Sequence, residues 1–415
     1  MARIGLLGSY GGLNVGDEAI LTSVLDALRA AAPCAEVALF SRDAAHTRHA
    51  HQVDGVIDAR RGSCDAVSDE IAKLDLLVLG GGGLLYDGEA TEYLRHVRTA
   101  HRNGVPTVAY AVGVGPLTTP EDRRAVRDVV SAMTRVTVRD EHSKRVLEEV
   151  GVERSVQVMA DPSLLLTPVP VAADTLVREG VDPSGRLIAM SVREPGRAAP
   201  DLAVDVYHST LAAVADFAVH RYDGQVVFIP MERGDVGQSH AVVARMVAAE
   251  RARVLHGSYG PRELLGLMEH VDHAVGLRLH FLIFAAISGV PCLPLSYAAK
   301  VAELARAIGI PTPGSLDRDA VGPLLATLDR LWDERQEHGR RVQCRIEKLK
   351  PRAAGTLQYV LELLPRSSSG AASGDDGDPT EGTGVRRAPV DSATRTRPAG
   401  PAPALTALGG LTPMS

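Results

Sequence analysis

The sequence predicts an α/β protein built from two parallel sheets, each covered by helices. Three observations predict it. Apolar runs of strand length alternate with longer segments of helical period. The alternation pauses at a linker rich in proline and valine near Thr167–Ala172 and then restarts. The 415 residues are enough for two α/β domains. The expected divisions are an N-terminal domain over 1–168, a C-terminal domain over 180–335, a helical segment over 336–365 and a tail over 366–415.

In the first half, Arg3–Leu7 reads as a buried strand. Asp17–Ala31 reads as a helix, because Ile20, Val24, Leu25 and Leu28 fall on one face. Val37–Phe40 is a second strand. Leu74–Leu79 is a third and runs into Gly80-Gly81-Gly82-Gly83. Thr91–Arg102 is helical, and Pro106–Val112 is a strand ending in Gly113-Val114-Gly115-Pro116. Glu121–Met133 is a helix, Arg135–Val138 a strand, and Asp140–Val150 a helix stopped by Gly151. In the second half, Leu187–Val192, Gln225–Pro230, Val254–Leu255, Ala274–Leu277 and Cys292–Leu295 read as strands. Between them Val204–His220, Gln238–Ala249, Pro261–Met268 and Phe281–Ile287 read as helices. Leu324, Leu325, Leu328, Leu331 and Trp332 share a helical face, and Thr356–Leu364 reads as a last helix. From Ser367 onward Gly, Pro, Ala, Ser, Thr and Asp dominate. That stretch lacks the apolar surface to offset chain entropy, and disorder is expected there.

Composition narrows the function. A hydrophobic share of 45% indicates a globular body, and a net charge of −6 leaves no basic surplus for nucleic acid. Aromatics at 4% disfavour a stacking platform for bases. Cys34, Cys64, Cys292 and Cys344 are far apart and read as reduced thiols, with neither zinc nor a disulfide framework. No metal-ligand spacing is evident, and no metal or cofactor is expected. Ile4-Gly5-Leu6-Leu7-Gly8 begins almost at once, with no leader read before it. The apolar run Phe281–Leu295 is broken by Gly289, Pro291 and Pro294 and is too short to span a bilayer. A cytoplasmic protein is expected, touching a membrane peripherally if at all. Oligomeric state is unreadable.

Arg278-Leu279-His280 is the most informative stretch. It joins a strand end to a helix start, where open α/β sheets bind ligands. An arginine fork and a helix N-terminus suit a small, multiply charged anion. The loop Gly8 to Glu18 joins the first strand to the first helix but is neither a P-loop nor a dinucleotide fingerprint. Asp17 either caps that helix or faces a ligand. The loops at Gly80–Gly83 and Gly113–Pro116 join it in lining one crevice. Arg139, beside Asp140, makes a surface salt bridge or enters the crevice. Arg193 is solvated or does the same. His280 is structural or functional, and Lys300 lies on the surface or reaches into the same crevice.

These segments, taken in order, resemble the polysaccharide pyruvyltransferases. The resemblance rests on Gly11-Gly12-Leu13-Asn14-Val15-Gly16-Asp17-Glu18, the Leu79–Gly83 turn, Gly113-Val114-Gly115-Pro116, Val138-Arg139-Asp140, Ala160-Asp161-Pro162, Ser191-Val192-Arg193, Arg278-Leu279-His280 and Ser296-Tyr297-Ala298-Ala299-Lys300. It covers about residues 1–335, and the order and spacing of the set carry it. It implies two Rossmann-like domains facing a cleft, as in B-type glycosyltransferases. It also implies transfer of a pyruvyl group from phosphoenolpyruvate to hydroxyls of a sugar or polysaccharide precursor, as a ketal, in polysaccharide or cell-wall biosynthesis. Its donor site implies roles for Arg278 and His280 directly and for Arg139 and Arg193 less specifically. Asn14, Gly81, Gly82, Leu279 and Lys300 join the expected binding set. His280, Asp17 and Arg278 form the expected catalytic set, with Asp17 and Glu18 facing the acceptor. One departure stands out: bacterial members near the cell-wall branch tend to read Ser-Tyr-Asp-Pro-Lys where this chain has Ala298-Ala299 before Lys300. Two rival readings use the same cations. One is a nucleotide-sugar glycosyltransferase or epimerase; the other is a non-catalytic anion-binding relative.

Overall fold

The computed structural model describes residues 1–12, 14–194, 203–295, 298–313 and 321–365. The expected tail and the Ser296-Tyr297 pair lie outside the described residues.

The first sheet is formed by β1 (Arg3–Leu7), β2 (Glu36–Ser41), β3 (Gly55–Asp58), β4 (Leu76–Leu79), β5 (Gly82–Leu85), β6 (Thr107–Val114), β7 (Arg135–Val138) and β8 (Val156–Val158). Its order is β3-β2-β1-β4-β6-β7-β8, with β5 paired to β6, and every pairing is parallel. Helices α1 (Val15–Ala31), α2 (Ala44–Ala50), α3 (Cys64–Ala72), α4 (Ala90–Arg102), α5 (Pro120–Ser131) and α6 (Glu141–Glu149) connect and cover it. The second sheet, β11-β10-β9-β12-β13, is also parallel. Its strands are β9 (Arg186–Ser191), β10 (Gly224–Phe228), β11 (Ala252–Val254), β12 (His273–Gly276) and β13 (Cys292–Pro294). Its helices are α7 (Ala173–Arg178), α8 (Val204–Tyr222), α9 (Arg233–Val243), α10 (Pro261–Leu267), α11 (Leu279–Ile287), α12 (Ala299–Ile308) and α13 (Val321–Asp333), and α14 (Arg335–Leu361) follows. Helices on both faces bury the strands, so β6 reads as a continuous apolar run, buried at every residue.

Several expectations change. The last helix is not Thr356–Leu364 but the 27-residue α14. Its Val342, Ile346 and Ala353 pack with the second half, whereas Val360 packs with Ile4, Leu6 and Ile20 of the first. The glycine run is not only a turn: Gly82 and Gly83 open β5. Asp17 does not cap α1. Asn14 does, its side-chain oxygen accepting the Gly16 N–H at 2.9 Å, while Asp17 and Glu18 sit in the first turn, where the helix dipole favours them. Glu18 is buried, accepting from the Gly11 N–H at 2.8 Å and lying 2.6 Å from His51 Nε2. It braces the loop and does not face the acceptor.

His273, at the start of β12, is fully buried, and neither ring nitrogen has a hydrogen-bond partner. Burial first, then the nearby His338 and Arg335, push it down to about 3. The unfolded imidazole titrates near ~6.5. Between those values the unfolded chain holds a proton that the fold excludes, so acid destabilises the fold. The expected loss approaches about 1.4 kcal/mol per pH unit below pH ~6.5, levelling off below the folded value. Chemical denaturation at pH 7 and pH 5 should show it. His273→Leu should flatten the difference, and an unchanged slope would refute the assignment.

Candidate active site

The carboxyl ends of both sheets open into one cleft, where parallel α/β sheets place their ligands. Lys300 enters from the first turn of α12. Its ammonium lies among the charges of Arg139 from the end of β7, Arg193 beyond β9 and Arg278 beyond β12, with Asp17 of α1 opposite. Burial first, then these three guanidiniums, push Lys300 down to about 7, against the pull of Asp17. Among the described residues Lys300 makes no salt bridge. Three guanidiniums and one half-buried ammonium thus gather at one site, and among the described residues no carboxylate is paired to the ammonium.

Arg139 is held flat against Gly113. A Cβ on that glycine would sit 2.6 Å from Nη2 and 2.7 Å from Cζ of the guanidinium, so any side chain there would displace it. Arg139 reaches Asp140 and Asp161 at 3.3 Å each. Asp161 divides its oxygens. Oδ1 accepts from the Ser163 N–H at 3.0 Å and from Ser163 Oγ at 2.7 Å, while Oδ2 faces Arg139 and lies 3.6 Å from His280 Nε2. Burial alone would raise the Asp161 carboxyl, but His280, Arg139 and Ser163 outweigh it and hold it well below the carboxylate range. The carboxylate therefore stays charged and lies beside the imidazole, whose Nε2 has no hydrogen-bond partner at this distance.

The other edge of the His280 ring rests on the first turn of α1. A Cβ on Gly16 would fall 2.9 Å from Cε1 and closer still to Nδ1. The histidine from the second half is thereby seated beside Asp17 from the first. Burial raises the Asp17 carboxyl, offset in part by His280, Ser9 and Lys300. A raised carboxyl and a lowered ammonium thus face one cleft, the kind of opposed shift that marks proton-transfer candidates.

Arg278 differs from its expected state. Its Nε donates to Asp235 Oδ2 at 3.0 Å, and its Nη2 pairs with both Asp235 Oδ1 and Glu232. Burial would weaken its charge, but Asp235 and Glu232 raise it further. Much of the fork is thus engaged by carboxylates. Removing it would strand the buried Asp235, at a cost of about 3–5 kcal/mol. Arg278→Ala therefore does not leave the fold intact, and it is a poor probe of chemistry. Glu232 also accepts from Asn14 Nδ2 at 3.0 Å, while the Val15 N–H donates to the Met231 carbonyl at 2.8 Å. These bonds join the two halves at the cleft.

The expected residues divide accordingly. Asp17, Arg139, Arg193, Arg278, His280 and Lys300 come together. Asn14 is committed to capping and bridging, and Leu279 packs in the apolar core. Gly81 lies against Ile20 and Gly82 against Asp17, under α1. Sequence reasoning missed Glu232 and Asp235 as partners and gave Asp161 no role. The signal was available: Glu232 and Asp235 follow a strand end, three residues apart at the start of a helix, as Arg278 and His280 follow another. Ala298, where the departure falls, is the N-cap residue of α12 and supplies no side-chain cap. Among the described residues no three His, Cys, Asp or Glu side chains gather as a metal site, and no helix is long and apolar enough to cross a membrane.

Residues 14–298 match the family model for polysaccharide pyruvyl transferase. No curated protein matches the chain. Among solved structures, the UDP-GlcNAc 2-epimerase from Neisseria meningitidis bound to UDP-GlcNAc aligns at 12% identity and TM-score 0.56, over 87% of this chain and all (100%) of that one. A glycosyltransferase from Rickettsia africae aligns at 8% identity and TM-score 0.60, over 87% and 98%. The UDP-GlcNAc 2-epimerase from Methanocaldococcus jannaschii aligns at 11% identity and TM-score 0.56, over 85% and 100%. At such identities the likeness is one of fold: two Rossmann-like halves in the arrangement of B-type glycosyltransferases.

Proposed function

The chain belongs to the polysaccharide pyruvyl transferase family of transferases, and from that membership we propose that it moves the pyruvyl group of phosphoenolpyruvate onto two hydroxyls of a sugar or glycan precursor. The observation that carries this reading is the convergence of Arg139, Arg193 and Arg278 on Lys300 with no carboxylate paired to the lysine. Phosphoenolpyruvate places a phosphate and a carboxylate on one carbon. Such a donor supplies a counter-charge for Lys300, and the neighbouring guanidinium groups help to hold it.

The reaction begins with proton delivery to the methylene carbon, leaving positive character at the carbon that bears both anionic groups. Lys300 or Asp17 supplies the proton: the ammonium is lowered to about 7 and burial raises the carboxyl. A sugar hydroxyl adds to that carbon. Its C–O bond to phosphate breaks, and a second hydroxyl closes the ketal. One hydroxyl proton balances the new methyl group, and the other leaves on the phosphate. His280, beside Asp161 and seated on Gly16, takes and passes the hydroxyl protons. The reaction written this way draws on no cofactor beyond the donor. All four cysteines are free, which fits action in the cytoplasm.

The test is a donor screen with the full chain and a panel of sugars and nucleotide sugars. Phosphate release that requires phosphoenolpyruvate, with a matching mass gain on the sugar, is the expected result. Release of a nucleoside diphosphate would establish glycosyl transfer or epimerase-type chemistry instead. Binding of phosphoenolpyruvate without turnover on any acceptor would leave an anion-binding relative.

A further inference from the structure

On the Ser9 side of Asp17 lies a further cation that the donor chemistry does not use. Arg42 follows β2, and its backbone N–H donates to the Tyr10 carbonyl at 2.9 Å. The same carbonyl accepts from Ser41 Oγ at 3.3 Å, so the loop after β1 is stapled to the end of β2. The Arg42 guanidinium is half-buried and donates through Nη1 to Ser9 Oγ at 3.3 Å. Among the described residues it makes no salt bridge. A half-buried guanidinium satisfied only by a hydroxyl is a poorly compensated charge.

Its neighbours are a hydroxyl, two phenols and two carboxyls, those of Asp17 and Glu89. The Ser9 hydroxyl lies within reach of both the Asp17 carboxyl and the Tyr93 phenol. The Tyr86 and Tyr93 phenols feel the charges of Arg42 and Asp17 together. Tyr86 is 37% exposed in a protein where large apolar and aromatic side chains are otherwise mostly buried. Gly83, nearby in β5, faces open space, with no atom within 4 Å of where its Cβ would stand. Tyr86, Tyr93 and the Arg42 cation thus share the neighbourhood of Asp17, and Gly83 leaves room in β5. A planar tyrosine face suits a pyranose ring, and a guanidinium fork suits a carboxylate or phosphoryl group.

We propose that Arg42, beside Tyr86, reads an anionic substituent on the acceptor sugar, so that the acceptor is an acidic or phosphorylated sugar and not a neutral one. This rests on the reading of the cleft as a two-substrate transferase site. With the ring over Tyr86 and its charged group on Arg42, the attacking hydroxyls face Asp17 and, beyond it, the donor.

Calorimetry on the full chain tests this with three probes: methyl β-D-glucopyranoside, methyl β-D-glucopyranosiduronic acid and glucose 1-phosphate. At least one anionic probe should bind tenfold or more tightly than the neutral one. Arg42→Gln should bring that ratio to within about threefold, and Arg42→Lys should retain an intermediate preference, because the charge remains without the fork. Preference for the uronic acid would identify a carboxylate acceptor, and preference for the phosphate a sugar phosphate or diphosphate-linked acceptor. Equal binding of all three probes by the wild-type chain would overturn the proposal, as would a preference that survives Arg42→Gln. Titrating phosphoenolpyruvate into the same proteins keeps the two readings apart. If it fails to bind the wild-type chain, the donor assignment falls, while the probe comparison still decides the role of Arg42.

Discussion

Lys300→Met should lower kcat/KM for phosphoenolpyruvate-dependent phosphate release by about 10³-fold or more. Methionine fills a similar volume without charge, so the variant removes one cation from the donor cluster and leaves packing nearly intact. Stability should hold or rise slightly, because Arg139, Arg193 and Arg278 lose a like-charged neighbour. The wild-type pH profile carries the same information. Lys300 titrates at about 7, below its ordinary value near ~10.4. Below about 7 the ammonium is present and available to the donor. Above it the neutral amine must regain a proton to bind an anion, and kcat/KM should fall by about tenfold per pH unit. The stability sign is separate. Between the two values the unfolded chain binds a proton that the folded site does not, so this group reduces stability as pH falls from about 10 to about 7. A wild-type profile flat to pH 9, or a Lys300→Met enzyme with an unchanged alkaline limb, would remove Lys300 from the mechanism.

The second large effect is expected from a single methyl group. Gly16→Ala places a Cβ closer to the His280 ring than carbon atoms can approach, and the ring must move by about an ångström. A displacement of that size near reacting atoms lowers turnover by about 10²-fold, and overpacking costs about 1–3 kcal/mol. Gly234→Ala is the matched control. Gly234 holds the same second position in its helix α9, and nothing lies within 4 Å of where its Cβ would stand. It should be neutral or slightly stabilising, by up to about 1 kcal/mol, from helix propensity alone. Thermal melts and single-turnover rates on the two variants decide the matter. Equal behaviour would show that His280 does not depend on its seat at Gly16.

The two sheets and the cleft were legible because parallel strands buried on both faces leave apolar runs that any linear reading finds. Arg278, His280 and Lys300 were legible because each follows such a run at a helix start. What escaped falls into two physical kinds. Elements with little apolar content, such as α2, α3 and β3, carry a weak period, and α14 contains Gly339, Pro351 and Gly355, which read as breakers. Partnerships were the other kind. Arg278 meets residues 43 and 46 positions away, and Asn14 meets one 218 positions away. No spacing rule reaches so far. The fork therefore read as open when two acids already hold it, and Asp17 read as a cap when Asn14 fills that place.

Helix α14 gives the chain an unusual order of completion. The apolar layer containing Ile4, Leu6 and Ile20 is sealed by Val360, and Arg352 Nη2 donates to the Val158 carbonyl at 2.9 Å. During synthesis, the earliest strands to emerge from the ribosome must wait for α14, the last helix among the described residues, before their surface is covered. Each half is thus a dependent partner of the other, and a gene cut at the linker near Thr167 would yield a first half with a bare greasy flank.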